Sequence, residues 1–367
     1  MINNKSVTYH VITNFTELSG AESALIKLVN SSQNNPFKII SLMEKNSHMV
    51  GRIIHPNCEV IELGAYNAFT MLVVAFNLAE MIKKESPGEI YAWMYHANAV
   101  SSIASLLSFN KAPLVWGVRH SLDDYQGEKM STKIAIQIGK LLKFVPDNVI
   151  YCSQRAQKQH EEFGYNAPEK SIYIPNGYEF PPIIERCFSR TSLTFGAAGR
   201  FHDAKDYKTL IKAIVPILAK NPEATLKMCG RNITEDNAEL TEMIEQAGIN
   251  STQVILMGLQ EDMTAFYNQI DVFILSSKTE GFPNVLAEAA AHGCAVFSTD
   301  VGDASVIVNN PNHIVPIADS TALTQAIDNY LSLPSEQRKA IAFATTQHVR
   351  SQFSISHIAE QFFALGR

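Results

Sequence analysis

The chain has 367 residues, enough for two domains of about 150 residues or more. Hydrophobic residues make up 46% and charged residues 18%, an ordinary soluble composition in which either half can bury a core. The formal net charge of −6 gives a nucleic-acid partner no support.

In chain order, SVTYHVIT (6–13) predicts a strand and GAESALIKLVNSS (20–32) the helix after it. FKIISLM (37–43) and EVIEL (59–63) predict two more strands. AFTMLVVAF (68–76) is too short to span a bilayer and continues as NLAEMIKK, which predicts a core-facing helix. EIYAWMY (89–95), PLVWGV (113–118) and NVIYCS (148–153) are further strands, the last followed by the helical QRAQKQHEEFG. This alternation implies a parallel sheet with helices on both faces.

IPNGYEFPPIIERCFSRTS (174–192) breaks the pattern with Pro, Gly, Ser and charge, as a linker does. The alternation restarts at LTFGAAGR (193–200) and runs through ATLKMCG, QVILMG, DVFILSS, CAVFSTD and HIVPI. The expected division is a first domain at 1–180, a linker at 181–192, a second domain at 193–345 and a C-terminal helix at 346–367 packing back on the first. Cys58, Cys152, Cys187, Cys229 and Cys294 are scattered and lack C-x-x-C spacing, which predicts reduced thiols, a cytosolic setting and no metal cluster. MINNKSVTYHVIT has no long apolar core behind a basic start and does not read as a signal peptide.

Lys129, Lys133, Lys140 and Lys143, within EKMSTKIAIQIGKLLKF, share much of one helix side, while Ile134, Ile138, Leu141 and Leu142 line another. Two readings stay open: a helix lying on an anionic membrane surface, or an ordinary packed helix with a solvated lysine face. Residues 1–185 carry 16 Lys/Arg against 17 Asp/Glu and residues 186–367 carry 14 against 19, so the first half meets less repulsion at an anionic surface.

The most informative stretch is KTEGFPNVLAEAAAHG (278–293). It follows the strand DVFILSS, Pro283 suits a first helical turn, and Gly293 is a C-terminal stop. Glu280 therefore lies at the carboxyl end of a parallel strand, where ligands of open α/β sheets bind, beside a helix start that attracts phosphate. Glu288 lies about five residues into the helix, roughly 7–8 Å along its axis, a span comparable with a sugar diphosphate. The two carboxylates could accept paired bonds from hydroxyls at its two ends. The alternative makes Glu280 a capping anion and puts Glu288 on a solvated face, although the alanines around Glu288 suit a tight, partly buried setting.

Other candidates have equally plain alternatives. Arg200 and Lys205, beside Gly196 and Gly199, suit phosphate approach at a strand end or are surface charges. His120 and His96, each just past an apolar strand run, are ligand-facing groups or packed structural histidines. Gly20 permits close approach of a ligand or relieves a tight turn. Neither GAAGR nor LSGAES supplies G-x-G-x-x-G, which argues against a nicotinamide dehydrogenase. No D-x-D pair occurs, which argues against a divalent metal holding a pyrophosphate.

EGFPNVLAE resembles the E-x7-E motif of family-4 retaining glycosyltransferases (glycosyl transferases group 1). The resemblance extends through DVFILSSKTEGFPNVLAEAAAHGCAVFSTDVGD, GAAGRFHDAKDYKTLIKA, IPNGYE, SGAES, WMYHAN and VWGVRHS, covering nearly the whole chain and most specific in its second half. It implies a GT-B fold, two Rossmann-like α/β domains with parallel sheets facing a central cleft, the first binding acceptor and the second nucleotide sugar. By resemblance, Glu280 contacts donor sugar hydroxyls and Glu288 the ribose. Arg200 and Lys205 neutralise the pyrophosphate, and backbone N–H groups of Gly281, Phe282 and Asn284 lie near sugar and phosphate. Pro283 has no N–H to give. Gly20 lets the first loop approach the phosphates or acceptor, His120 faces the donor sugar, and His96 and Arg119 belong to the acceptor side.

The implied activity moves a hexosyl or N-acetylhexosaminyl group, with retention, from a nucleotide-diphosphate sugar, UDP favoured, to a glycan or lipid-linked acceptor in bacterial polysaccharide or glycolipid synthesis. It needs no cofactor or metal and no nucleic acid, and it places the enzyme in the cytoplasm or at the inner face of the membrane. Two alternatives are a GT-B protein that binds nucleotide sugar without transfer, and a nucleotide-sugar epimerase. One glycine in SGAE, where many members have two, and Gly302-Asp303 in place of a commoner Gly-Gly weaken any assignment of the sugar.

Overall fold

The computed structural model describes residues 6–32, 35–123, 125–184, 186 and 192–365. Its contacts divide the chain into two units, Met1–Gly177 with Ile355–Arg367, and Tyr178–Ser354. Cys187 and half of the expected linker lie outside the described residues.

The first unit runs β1 (Thr8–Ile12), α1 (Gly20–Ser31), β2 (Phe37–Ser41), α2 (Ser47–Val50), β3 (Cys58–Glu62), α3 (Ala68–Glu85), β4 (Glu89–Trp93), α4 (Met94–Ser108), β5 (Leu114–Val118), α5 (Met130–Leu141), β6 (Asn148–Tyr151), α6 (Gln154–Phe163) and β7 (Ser171–Tyr173). Its seven strands pair in the order β3-β2-β1-β4-β5-β6-β7, and every pairing is parallel. Every residue of β1 and β5 is buried, which is why these strands read as apolar runs rather than alternating ones. Tyr9 and Val11 face the core shared with α3, α4 and α5. Ile12 faces the opposite core, formed with α1.

The second unit runs β8 (Thr194–Ala198), α7 (Tyr207–Lys220), β9 (Thr225–Cys229), α8 (Ala238–Gln246), β10 (Val254–Leu256), α9 (Met263–Asn268), β11 (Val272–Leu275), α10 (Asn284–Ala291), β12 (Ala295–Thr299), α11 (Ala304–Val308), β13 (Ile314–Val315), α12 (Ser320–Leu331) and α13 (Ser335–Gln352). Its strands pair in the order β10-β9-β8-β11-β12-β13. The last helix, α14 (Ile355–Ala364), belongs to the first unit and packs on α1. There the Tyr91 hydroxyl donates to the Phe362 carbonyl at 3.1 Å, and the Trp93 and Phe362 rings stack at 5.7 Å. Residues 346–352 are the end of α13, which packs on α10 and α11 within the second unit, so the returning segment is shorter than the sequence suggests.

Two helices depart from the expectation in the same way. The helix at α3 forms, opened by a capping box between Asn67 and Thr70. Only Val74, Ala75, Leu78, Ala79 and Ile82 are buried, and Phe69, Leu72, Val73 and Phe76 are exposed. A helix against a sheet buries one stripe, so an apolar run longer than that stripe must wrap onto the outer face. In α5 the buried residues are the small or central Ala135, Ile136 and Gly139, while Ile134 and Leu141 are exposed. Gly139 allows this close seat because a Cβ there would stand 2.5 Å from the Tyr165 ring. Lys133 and Lys140 are not simply solvated: they lie over the Tyr125 and Phe163 rings, at 5.8 and 4.4 Å.

Buried imidazoles couple the fold to pH. Burial lowers His10 from 6.5 to about 3 and His160 to about 4. His160 donates from Nδ1 to the Ala156 carbonyl at 2.7 Å, so Nε2 accepts from the Tyr95 hydroxyl at 2.8 Å, a neutral arrangement. Their depressed values mean that the unfolded chain binds protons first as pH falls. Stability is full above about pH 6.5 and is lost towards pH 4, by roughly 2 kcal/mol per buried imidazole at pH 5. Urea unfolding followed from pH 7.5 to 4.5 should show that decline, and His160→Gln should make it shallower while lowering stability at neutral pH.

Candidate functional site

The strand orders locate the crevices. In the second sheet, successive connections run outward from β8 in one direction and from β11 in the other, so the order reverses between these neighbours. Loops leaving their carboxyl ends diverge there and open a crevice. The loop after β8 carries Arg200 and Lys205, and the loop after β11 carries Glu280. Residues 75 apart in sequence thereby meet: Lys205 Nζ lies 2.5 Å from Glu280 Oε1.

Several bonds fix that meeting. Ser277 Oγ donates to Glu280 Oε1 at 2.8 Å, Ser276 Oγ to the Lys205 carbonyl at 2.8 Å, and Lys278 N–H to the Ala204 carbonyl at 2.8 Å. Both bonds to Glu280 fall on Oε1, and among the described residues none reaches Oε2, which leaves that oxygen for a ligand hydroxyl. Arg200 is exposed at the end of β8, with no hydrogen bond or ion pair among the described residues.

Glycines seat each of these two loops against its other neighbour. Gly230, at φ 140°, has the Gly199 carbonyl oxygen 1.9 Å from where a Cβ would stand. Gly302, at φ 50°, has the Gly281 carbonyl oxygen at 2.2 Å from the same position. Gly302, the first residue of the Gly302-Asp303 pair, is thus required by backbone packing.

Beyond Glu280, α10 starts at Asn284 with Pro283 at its N-cap and no side-chain cap. Phe282 is buried, stacked with Tyr178 at 6.3 Å and set edge-on to Phe353 at 5.5 Å. Its side chain anchors the loop, which leaves only its backbone N–H for the ligand role expected of it. The Tyr178 hydroxyl donates to Asn284 Oδ1, holding the helix start from its other side. Glu288 is half-buried and accepts from the Tyr267 hydroxyl at 2.9 Å. Burial, with the Glu288 charge, holds Tyr267 protonated far above its usual range, so it remains a donor. Glu288 is therefore a positioned carboxylate, not one on a solvated face.

In the first unit the order reverses between β1 and β4. Gly20, exposed, begins α1 after the loop from β1. At β4 the strand stops at Trp93, two residues earlier than expected, because Met94 turns to φ 72° and starts α4 at once. That sharp turn sets His96, half-buried and with its pKa lowered by burial, in the first turn at the crevice. Arg119 follows β5, donates from Nη1 to Asn176 Oδ1 at 2.7 Å and covers the Trp93 ring at 5.1 Å. Its guanidinium holds the 174–177 segment. His120 Nε2 lies 3.2 Å from Glu128 Oε1, and its Nδ1 is buried without a partner among the described residues.

Tyr267, Ser277, Tyr178 and Gly230 were not found from sequence. Only Gly230 carried a signal, a glycine closing the strand ATLKMCG. The hydroxyls act across separations of 21 and 106 residues in the case of Tyr267 and Tyr178. Among the described residues, no three of His, Cys, Asp and Glu gather as metal ligands, and no helix is long and apolar enough to cross a membrane.

Residues 192–332 match the family described as Glycosyl transferases group 1. An uncharacterized glycosyltransferase of Methanocaldococcus jannaschii is 25% identical over 250 residues, 63% of this chain and 60% of that protein. The lipopolysaccharide core biosynthesis mannosyltransferase LpcC of Rhizobium leguminosarum bv. viciae is 27% identical over 177 residues, 46% of this chain and 49% of that protein. The chain thus spans about half to three fifths of the length of these relatives. The crystal structure of Anabaena HepE with UDP and glucose superposes with a TM-score of 0.79 at 18% identity, covering 97% of this chain and 98% of that one. The fold is GT-B.

Gly302→Ala should destabilise the second unit by about 1–3 kcal/mol, since both its φ and the Gly281 carbonyl oppose a Cβ. Urea unfolding of the full chain checks this.

Proposed function

We propose that the chain is a metal-independent, retaining glycosyltransferase of family 4. It moves a hexosyl or N-acetylhexosaminyl group from a nucleotide-diphosphate sugar to a hydroxyl of a glycan or lipid-linked acceptor in surface polysaccharide or glycolipid synthesis. The observation that carries the reading is the Lys205–Glu280 pair, set at the reversal of the second sheet ahead of the start of α10. Charge for a pyrophosphate, a carboxylate oxygen for sugar hydroxyls and a helix N-terminus lie on adjoining loops. We assign Glu288, oriented by Tyr267, to the ribose. UDP is the favoured nucleotide because HepE was crystallised with UDP and glucose, and the saccharide acceptor follows the role named for LpcC.

In the proposed reaction the anomeric carbon–oxygen bond to the β-phosphate breaks and its electrons pass to the leaving diphosphate. The acceptor oxygen bonds to the same face of the sugar, and its proton passes to a diphosphate oxygen. Arg200 and Lys205 stabilise the growing negative charge, the largest contribution asked of the protein. Backbone N–H groups of Gly281, Phe282 and Asn284 orient sugar and phosphate. From the first unit we assign His120 to the donor sugar, Gly20 to close ligand approach and His96 to the acceptor, with Arg119 holding the acceptor-side segment 174–177.

A panel of UDP-, GDP- and ADP-sugars with candidate acceptors tests the reading: nucleotide should be released only when donor and acceptor match. Tight binding of nucleotide sugar with no turnover under any acceptor would replace transfer by plain binding, and interconversion of the sugar without an acceptor would make the protein an epimerase. Lys205→Ala should lower kcat by about 100-fold or more, and unchanged kinetics would remove its phosphate role. Tyr267→Phe should raise donor KM with a smaller effect on kcat, as loss of a group that orients a binding carboxylate predicts.

A further inference from the structure

The helical layer α3–α4–α5 covers one face of the first sheet, with α4 packed against both neighbours. Its outward side is apolar at two ridges. On α3, Phe69, Leu72 and Phe76 stand at helical spacing beside Val73, with Phe69 73% and Phe76 59% exposed. On α5, Met130, Ile134 and Leu141 are exposed, and Phe144 follows just past the helix. Phe109, in the left-handed C-cap of α4, is 91% exposed.

The charge around these ridges is mainly positive, with Glu80 exposed one turn beyond Phe76. Residues 63–79 carry no charge, and residues 90–122 and 129–146 contain no Asp or Glu. Lys83, Lys84, Lys111, Lys129 and Lys143 are exposed at the edges. The acids of α3, Glu80 and Glu85, lie in its last two turns, and Glu85 is paired with Lys38 at 2.7 Å. Lys133 and Lys140 lie over aromatic rings beside α5, which leaves its apolar ridge uncovered.

We propose that this face docks on an anionic lipid bilayer, with the α3 and α5 ridges in the headgroup–acyl boundary and the lysines on the lipid phosphates. Apolar residues on one helix side flanked by lysines, with aromatics prominent among them, are what an interfacial helix presents. A second copy of the chain is the poorer occupant, because a two-fold contact would set these lysines against themselves. Protein interfaces are depleted in lysine, which also favours lipid. The proposal is independent of the transferase reading, since its test reads binding and not turnover.

Flotation of the full-length chain with vesicles of phosphatidylcholine containing roughly one third phosphatidylglycerol, against phosphatidylcholine alone, tests it. Binding to the anionic vesicles should fall with added salt. The triple variant Phe69→Ser/Leu72→Ser/Phe76→Ser and the charge variant Lys129→Glu/Lys143→Glu should each weaken binding about tenfold or more, at unchanged circular dichroism. Absence of flotation at low salt would overturn the proposal, as would equal binding by the triple variant. A dimer in sedimentation that the triple variant abolishes, without vesicle binding, would assign the face to a second copy.

Discussion

In the second unit, the loops after β8, β9, β11 and β12 can meet only because no Cβ stands between their backbones. Gly230 closes on the Gly199 carbonyl and Gly302 on the Gly281 carbonyl, each inside the distance a side chain would occupy. These approaches seat the Lys205 loop on its β9 neighbour and the Glu280 loop on its β12 neighbour, and the pairing of β8 with β11 sets the two loops side by side at the reversal of the strand order. The Lys205–Glu280 pair and the Ser276 bond then tie the two loops together, and Ser277 holds Glu280 within its own loop. The glycines are thus structural in action and functional in consequence.

The same unit orients its polar groups from buried supports. Tyr267 is held protonated by burial and donates to Glu288, while Tyr178 and Phe353 clamp Phe282. Fixing carboxylates before a ligand arrives lowers the ordering cost of binding and aims their lone pairs. A crevice built this way suits recognition of hydroxyls around a charged centre.

The first unit solves a different problem. Its sheet needs only one stripe of each covering helix, yet α3 and α5 carry more apolar surface than that stripe can bury. The excess faces outward, bordered by lysines. That apolar surface and its lysine border are the ground of the lipid-docking proposal.

Much of the architecture was legible in the chain itself. Buried parallel strands must be apolar throughout, so their runs and the turns between them announce two parallel-sheet α/β domains. The strand–loop–helix around Glu280 and Pro283 was readable because those signals are local. What the sequence could not determine was long-range or directional. Lys205 meets Glu280, and Tyr267 meets Glu288, through strand order, not through spacing along the chain. Helical periodicity marks which residues of α3 and α5 share a side, but it does not say which side the sheet covers. Only tertiary packing chose Ala135, Ile136 and Gly139 for the inside of α5 and turned Ile134 and Leu141 outward, because the Tyr165 ring leaves room there for no side chain.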